Sequence, residues 1–132
     1  MENKINLACI IDDDPIFVFG TKKILEYSGY CDTFLVFKNG QEAYKNLRTL
    51  IQQKSVLPDL IFLDINMPIM DGWEFLEEIE KIDIPKQLKI FMVTSSETPA
   101  DREKAKEFSV IKKYVVKPIT LDVIKDIIKQ IE

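Results

Sequence analysis

The sequence predicts an α/β domain, a doubly wound five-stranded parallel sheet flanked by five helices. Three observations predict it. Short β-rich apolar runs alternate with longer stretches of helical periodicity, which is the pattern of successive βα units. Four of the five runs are almost continuously apolar, as strands are when helices cover both faces of a sheet. Charged or hydroxyl residues follow most of the runs at once, where the carboxyl ends of such strands border a crevice.

The strand runs are Leu7 to Ile11, Phe34 to Phe37, Leu60 to Leu63, Ile90 to Val93 and Tyr114 to Val116. The second is more mixed, which suits an edge position. A helix is expected over Ile16 to Tyr27, with Gly29 as its carboxyl-terminal cap. Ala43, Leu47, Leu50 and Ile51 mark the inward stripe of the next helix. Phe75, Leu76 and Ile79 mark that of the third, and Leu121, Ile124, Ile128 and Ile131 that of the last. Thr98-Pro99-Ala100-Asp101 combines a capping hydroxyl, a proline at the first helical position and an acid in the first turn. The fourth helix should therefore run from Pro99 to about Phe108. It has few large apolar residues to fasten it, so it is expected to be the mobile element.

Composition narrows the chemistry. A chain of 132 residues with 46% hydrophobic and 30% charged residues fits one ordinary core. The absence of histidine excludes serine-histidine and zinc-histidine catalysis. Cys9 and Cys31 have no partner at metal-ligand spacing and read as small buried hydrophobes. A net charge of −4 opposes direct nucleic-acid binding. No apolar run is long enough for a membrane span, and Met1-Glu2-Asn3-Lys4 opens no secretory segment, so a cytoplasmic location is expected.

The stretch Ile10-Ile11-Asp12-Asp13-Asp14-Pro15 leads an apolar strand into three carboxylates. Two such groups about 4 Å apart repel by roughly 4 kcal/mol at an effective dielectric near 20, so bringing them together calls for a compensating cation. Asp64 follows the third strand, Thr94 the fourth and Lys117 the fifth. Each polar residue alone is an ordinary wetted strand end. Together, three acids, a hydroxyl and an ammonium suit a hard, oxygen-ligated metal such as Mg²⁺. Beside it, a carboxylate can act as nucleophile toward a phosphoryl group, with metal and ammonium offsetting charge on the transferring oxygens.

The segments IIDDDP, FLDINMPIMDG, MVTSS and YVVKP, in this order over essentially the whole chain, resemble those of the response-regulator receiver domain, the CheY-like family with a flavodoxin-like fold. The resemblance implies strand order 2-1-3-4-5, the order of that fold. It implies that Asp64 accepts a phosphoryl group from a sensor histidine kinase or a histidine phosphotransfer protein. Mg²⁺ would be held by Asp12, Asp13 and Asp64 with the backbone carbonyl of Asn66, while Lys117 and Thr94 contact phosphoryl oxygens. Thr94 and Tyr114 would form a switch that alters the surface of the fourth helix, fifth strand and fifth helix for a protein partner. A cis peptide before Pro118 is also implied. The resemblance covers residues 1–132 as a stand-alone receiver, not an enzyme acting on external substrates.

Three other readings compete. A haloacid-dehalogenase-like phosphatase also uses a nucleophilic aspartate and Mg²⁺, but typically has an acid two residues later, where this chain has Asn66. A flavodoxin-like FMN binder would need a Ser, Thr and Gly-rich first loop rather than an acidic one. A receiver-like module that binds partners without phosphorylation would have no need of the complete set of five residues. Asp14 matches no required acid and reads as a helix-start residue favoured by the dipole. Lys38, Asn39 and Gly40 read as a turn without chemistry, and Trp73 as a packing residue.

Overall fold

The computed structural model describes residues 5–83 and 88–131. The amino-terminal tetrapeptide considered above for a secretory signal lies outside the described residues. Ten elements follow one another: β1 (Ala8–Ile11), α1 (Pro15–Tyr27), β2 (Phe34–Phe37), α2 (Gly40–Gln52), β3 (Leu60–Leu63), α3 (Gly72–Ile79), β4 (Ile90–Thr94), α4 (Pro99–Ala105), β5 (Ile111–Val116) and α5 (Leu121–Ile131). The strands form one parallel sheet in the order β2-β1-β3-β4-β5. The mixed second run is an edge strand, as expected.

The continuous apolar runs have a direct structural cause. Side chains alternate between the two faces of a strand. Cys9, Ile11, Ile61, Leu63, Ile90 and Met92 pack on one side with Ala43 and Leu47 of α2 and Phe75, Leu76 and Ile79 of α3. Ala8, Ile10, Leu60, Phe62, Phe91 and Val93 pack on the other with Leu25 of α1 and Ile124, Ile127 and Ile128 of α5. Both faces are covered, so neither register of the alternation can be polar. Cys9 and Cys31 are buried and free, and burial pushes the thiol pKa of each up.

Local chemistry sets the helix ends. Asp14 caps α1 by accepting from the Ile16 amide at 3.0 Å, and Pro15 takes the first helical position. At the other end, Gly29 has φ +78°, and the amides of Gly29 and Tyr30 donate to Glu26 O and Leu25 O. That is the paired-bond carboxyl cap for which glycine is suited. Asn39 and Gly40 do more than turn the chain. Asn39 accepts from the Glu42 amide as the cap of α2, and the Gly40 amide donates to Met70 O at 2.8 Å.

Two elements differ from the expectation. The fourth helix ends at Ala105 rather than Phe108. Phe108 lies beyond it, buried and stacked on Trp73 with ring centroids 5.9 Å apart, so a neighbouring aromatic fastens this segment. The fifth strand begins at Ile111, three residues before the expected start at Tyr114. Lys112 and Lys113 break its apolar pattern, as lysines often do on an edge strand. A register shift between Ile90 and Phe91 places Thr94 opposite Val116, whereas an unbroken pairing from Ile90 and Ile111 would have placed it opposite Val115.

Gly72 makes a close approach. A Cβ there would sit 2.3 Å from Asp64 O and 3.0 Å from Ile65 Cα, and the Gly72 amide donates to Ile65 O at 2.8 Å. Gly20, by contrast, has open space around it in α1. Urea denaturation should separate the two. Gly72→Ala is expected to lose about 1–3 kcal/mol through overpacking against rigid backbone. Gly20→Ala should gain about 0.5–1 kcal/mol from reduced backbone entropy. Equal effects would contradict this account of the β3–α3 connection.

Candidate functional site

Backbone hydrogen bonds carry the sheet past its strand ends. The Asp12 amide donates to Phe37 O at 2.9 Å, the Asp64 amide to Ile11 O at 3.0 Å, and the Lys117 amide to Thr94 O at 2.8 Å. Three residues from three strands are thereby held at one carboxyl edge. The β1–β3 register pairs Ile11 with Leu63, so Asp12 and Asp64 leave the sheet side by side.

The side chains meet there. Oxygens of Asp12, Asp13 and Asp64 lie within 4.8 Å of one another. Asp12 and Asp64 are buried, at 2% and 6% exposure, and Asp13 faces solvent. Lys117 Nζ lies 2.8 Å from Asp12 Oδ2 and 3.3 Å from Asp64 Oδ2. The ammonium is thus the resident counter-charge of the acids. Asp64 Oδ1 accepts from the Ile65 amide at 2.7 Å, which fixes the plane of the carboxylate. Asp12 Oδ1 accepts from the Asp14 amide at 2.9 Å, and its buried Oδ2 pairs with the Lys117 ammonium and with no other donor among the described residues.

Burial raises the Asp12 carboxyl above the usual aspartate range and Asp64's charge adds to this, while hydrogen bonds from Lys117 and the Asp14 amide oppose it. Burial alone would lower the Lys117 ammonium, but Asp12 and Asp64 outweigh it and leave that group above the ordinary lysine value. A buried, under-satisfied carboxylate oxygen among three carboxylates, with no nitrogen or sulfur donor in the group, fits a hard divalent cation such as Mg²⁺.

The remaining expected residues are close in the chain but differently engaged. Thr94 is fully buried at the end of β4, and its Oγ1 accepts from the Ser96 amide at 3.3 Å rather than contacting the acids. Asn66 lies exposed, two residues past Asp64. Tyr114 is partly buried, and its hydroxyl donates to Ser96 O at 2.9 Å. Asp14 is the α1 cap and does not join the acid cluster. The Lys117–Pro118 bond is cis, as expected.

A match to the response regulator receiver domain family spans residues 8–129. The chain belongs to that family. It is 33% identical over 124 residues to the sensor histidine kinase CheAY of Helicobacter pylori, covering 94% of this chain and 15% of that much longer protein. Its fold matches a two-component response regulator from Cytophaga hutchinsonii at a TM-score of 0.87 and 27% identity, covering 98% of each chain. It also matches the phosphorylated cyanobacterial phytochrome response regulator RcpA at a TM-score of 0.76 and 25% identity, covering 96% of this chain and 90% of that one. The receiver domain functions in two-component phosphorelay signalling, and the phosphatase reading is not favoured. Receiver domains are phosphoacceptors that bind Mg²⁺ in an acidic pocket, and this receiver has an aspartate cluster of that kind. Family membership implies interaction with histidine kinases or phosphotransfer partners. No helix among the described residues is long and apolar enough to cross a membrane.

Several features of the site were not evident from sequence. Phe17 lies against Lys117, with Nζ 4.4 Å from the ring centroid. Arg102 lies 5.0 Å over the Tyr114 ring, and Ser96 Oγ donates to Asp101. These contacts join residues from separate elements, so neither spacing nor periodicity could have announced them.

The directions of these two shifts give the sign of a pH effect. A raised Asp12 pKa means that the folded state binds more protons than the unfolded state, so stability falls as pH rises from the ordinary aspartate value of 3.8 through the folded value. The raised Lys117 pKa contributes stability below 10.5 that is lost as pH rises through its folded value. In EDTA, each group should therefore contribute a decline in the urea midpoint as pH rises, Asp12 on the acid side and Lys117 on the alkaline side. Asp12→Asn should be the more stable protein at neutral pH and lose the acid-side decline. A variant with the wild-type pH profile would contradict the assignment.

Proposed function

We propose that Asp64 is the phosphoacceptor and takes its phosphoryl group from the phosphohistidine of a sensor histidine kinase or a histidine phosphotransfer protein. The observation that carries this reading is the position of Asp64. Its carboxylate is fixed by the Ile65 amide, faces the Lys117 ammonium at 3.3 Å, and shares a cation-sized cluster with Asp12 and Asp13.

In the transfer, a carboxylate oxygen of Asp64 bonds to phosphorus as the phosphorus–nitrogen bond of the donor breaks. The electron pair stays with the imidazole nitrogen, and an acyl phosphate remains on Asp64. Asp12, Asp13 and Asp64, with the backbone carbonyl of Asn66, would hold Mg²⁺, which when bound would supply positive charge to offset that on the transferring oxygens. Lys117 exchanges part of its pairing with the carboxylates for a phosphoryl oxygen, and the Thr94 hydroxyl donates to another. Hydrolysis returns the carboxylate when water attacks phosphorus and inorganic phosphate leaves. The chain thus promotes only its own phosphorylation and dephosphorylation. Asn66 stands where an acid/base would be needed for turnover of external esters.

The signal passes from Thr94 to Tyr114 through Ser96. The Ser96 amide donates to Thr94 Oγ1 while its carbonyl accepts from the Tyr114 hydroxyl, so drawing Thr94 toward the phosphoryl group disturbs both bonds. The altered face is that of α4, β5 and α5, where an effector protein would bind.

Intact-mass measurement after treatment with acetyl phosphate and Mg²⁺ tests the chemistry. One phosphate per chain is expected on the native protein and none on Asp64→Asn. Lys117→Ala should slow phosphorylation by about 10²–10³-fold, the scale of removing one preorganised electrostatic donor. Equal phosphate on native chain and Asp64→Asn would refute the assignment.

A further inference from the structure

The geometry points to Phe17 as a positioning residue that holds the Lys117 ammonium in the site through the face of its ring. This deepens the phosphoacceptor reading and rests on it. Lys117 Nζ lies 4.4 Å from the Phe17 centroid. The other cation–ring contacts among the described residues run from 5.0 to 5.9 Å. The ammonium is therefore bracketed. Carboxylates of Asp12 and Asp64 take one side at 2.8 and 3.3 Å, and the electron-rich ring face takes another.

The placement follows from the start of α1. Asp14 caps the helix and Pro15 begins it, so Phe17 emerges in the first turn directly after the acids. A ring contact with an ammonium is worth little in water and more when the cation is desolvated. The Lys117 side chain is only 15% exposed, which is the favourable regime.

The ring has a role that the carboxylates cannot fill. On phosphorylation the ammonium trades the Asp64 carboxylate for a phosphoryl oxygen, and a divalent cation competes for Asp12, so both anionic partners change during the reaction. Phe17 is neutral and unaffected by either event, so its attraction for the ammonium persists through the reaction. A groove of about 420 Å³ lies beside it, lined by Thr21, Ile24, Pro118 and Ile119 as well as Phe17 and Lys117. With the ring removed, the flexible lysine stem has room to swing toward that groove and away from the phosphoryl oxygens.

The test compares Phe17→Leu, Phe17→Tyr and ring-fluorinated phenylalanine at position 17. The readouts are the acetyl phosphate reaction rate at saturating Mg²⁺, the Mg²⁺ affinity and the proton shifts of the Lys117 ε-methylene. Phe17→Leu should react about threefold to thirtyfold more slowly, the range expected for losing a partly desolvated cation–ring contact. Its Mg²⁺ affinity should be unchanged, since the metal ligands are intact. Phe17→Tyr should recover most of the rate, and successive fluorines should slow it stepwise by draining the ring face without changing its shape. In the native protein the ε-methylene protons should be shifted upfield by the ring, a signature that needs no variant to fold. A wild-type rate in Phe17→Leu, indifference to fluorination, or unshifted ε-methylene protons would overturn the proposal and leave the phosphoacceptor reading standing. A native chain that takes up no phosphate would remove both.

Discussion

Two backbone hydrogen bonds hold negative charges together against their repulsion: Asp12 N–H to Phe37 O and Asp64 N–H to Ile11 O. The parallel sheet fixes these amides, and the side chains have no choice but to leave it as neighbours. Two carboxylates about 4 Å apart repel by roughly 4 kcal/mol at an effective dielectric near 20, a cost the packed core must outweigh. Lys117, anchored through its own amide to Thr94 O, relieves part of it. Three clustered carboxylates against one ammonium leave negative charge unbalanced, which makes the crevice receptive to a second cation.

The same construction links the site to the surfaces around it. The acids sit at the start of α1, so the helix that supplies the Asp14 cap also supplies Phe17 beside the ammonium. Asp64 is tied to α3 by the close approach of Gly72, which fixes how the β3–α3 connection wraps the acid. On the far side, Thr94, Ser96 and Tyr114 share hydrogen bonds through one residue's backbone. Asp64 thus stands between backbone hydrogen bonds to the sheet on one side and this run of hydrogen bonds toward α4 and β5 on the other.

Much of this was legible in the sequence because parallel sheets write their chemistry at strand ends. The runs ending at Ile11 and Leu63 announced both the strands and the positions of Asp12 and Asp64. The helix caps at Gly29 and Asn39 were not equally legible. Glycine was informative at Gly29, but Asn39 looked like a plain turn because its bond to the Glu42 amide depends on the helix already being in place. The start of β5 was hidden by Lys112 and Lys113, and the register shift at Ile90 and Phe91 had no sequence signal at all. The stacking of Phe108, just past α4, on Trp73 was hidden for a similar reason, since Trp73 is far away in the chain. Tertiary contacts decided each of these, and local pattern carries no record of them.

The central claim is that the aspartate cluster exists to seat one divalent cation beside Asp64. Calorimetric titration with Mg²⁺ of the native protein and of Asp13→Asn addresses it most directly, because Asp13 is exposed and its replacement leaves the buried pair intact. The account expects one Mg²⁺ per chain and an affinity reduced about tenfold or more in the variant, corresponding to about 1.4 kcal/mol or more. An absence of binding at millimolar Mg²⁺, or the same affinity in both proteins, would contradict it.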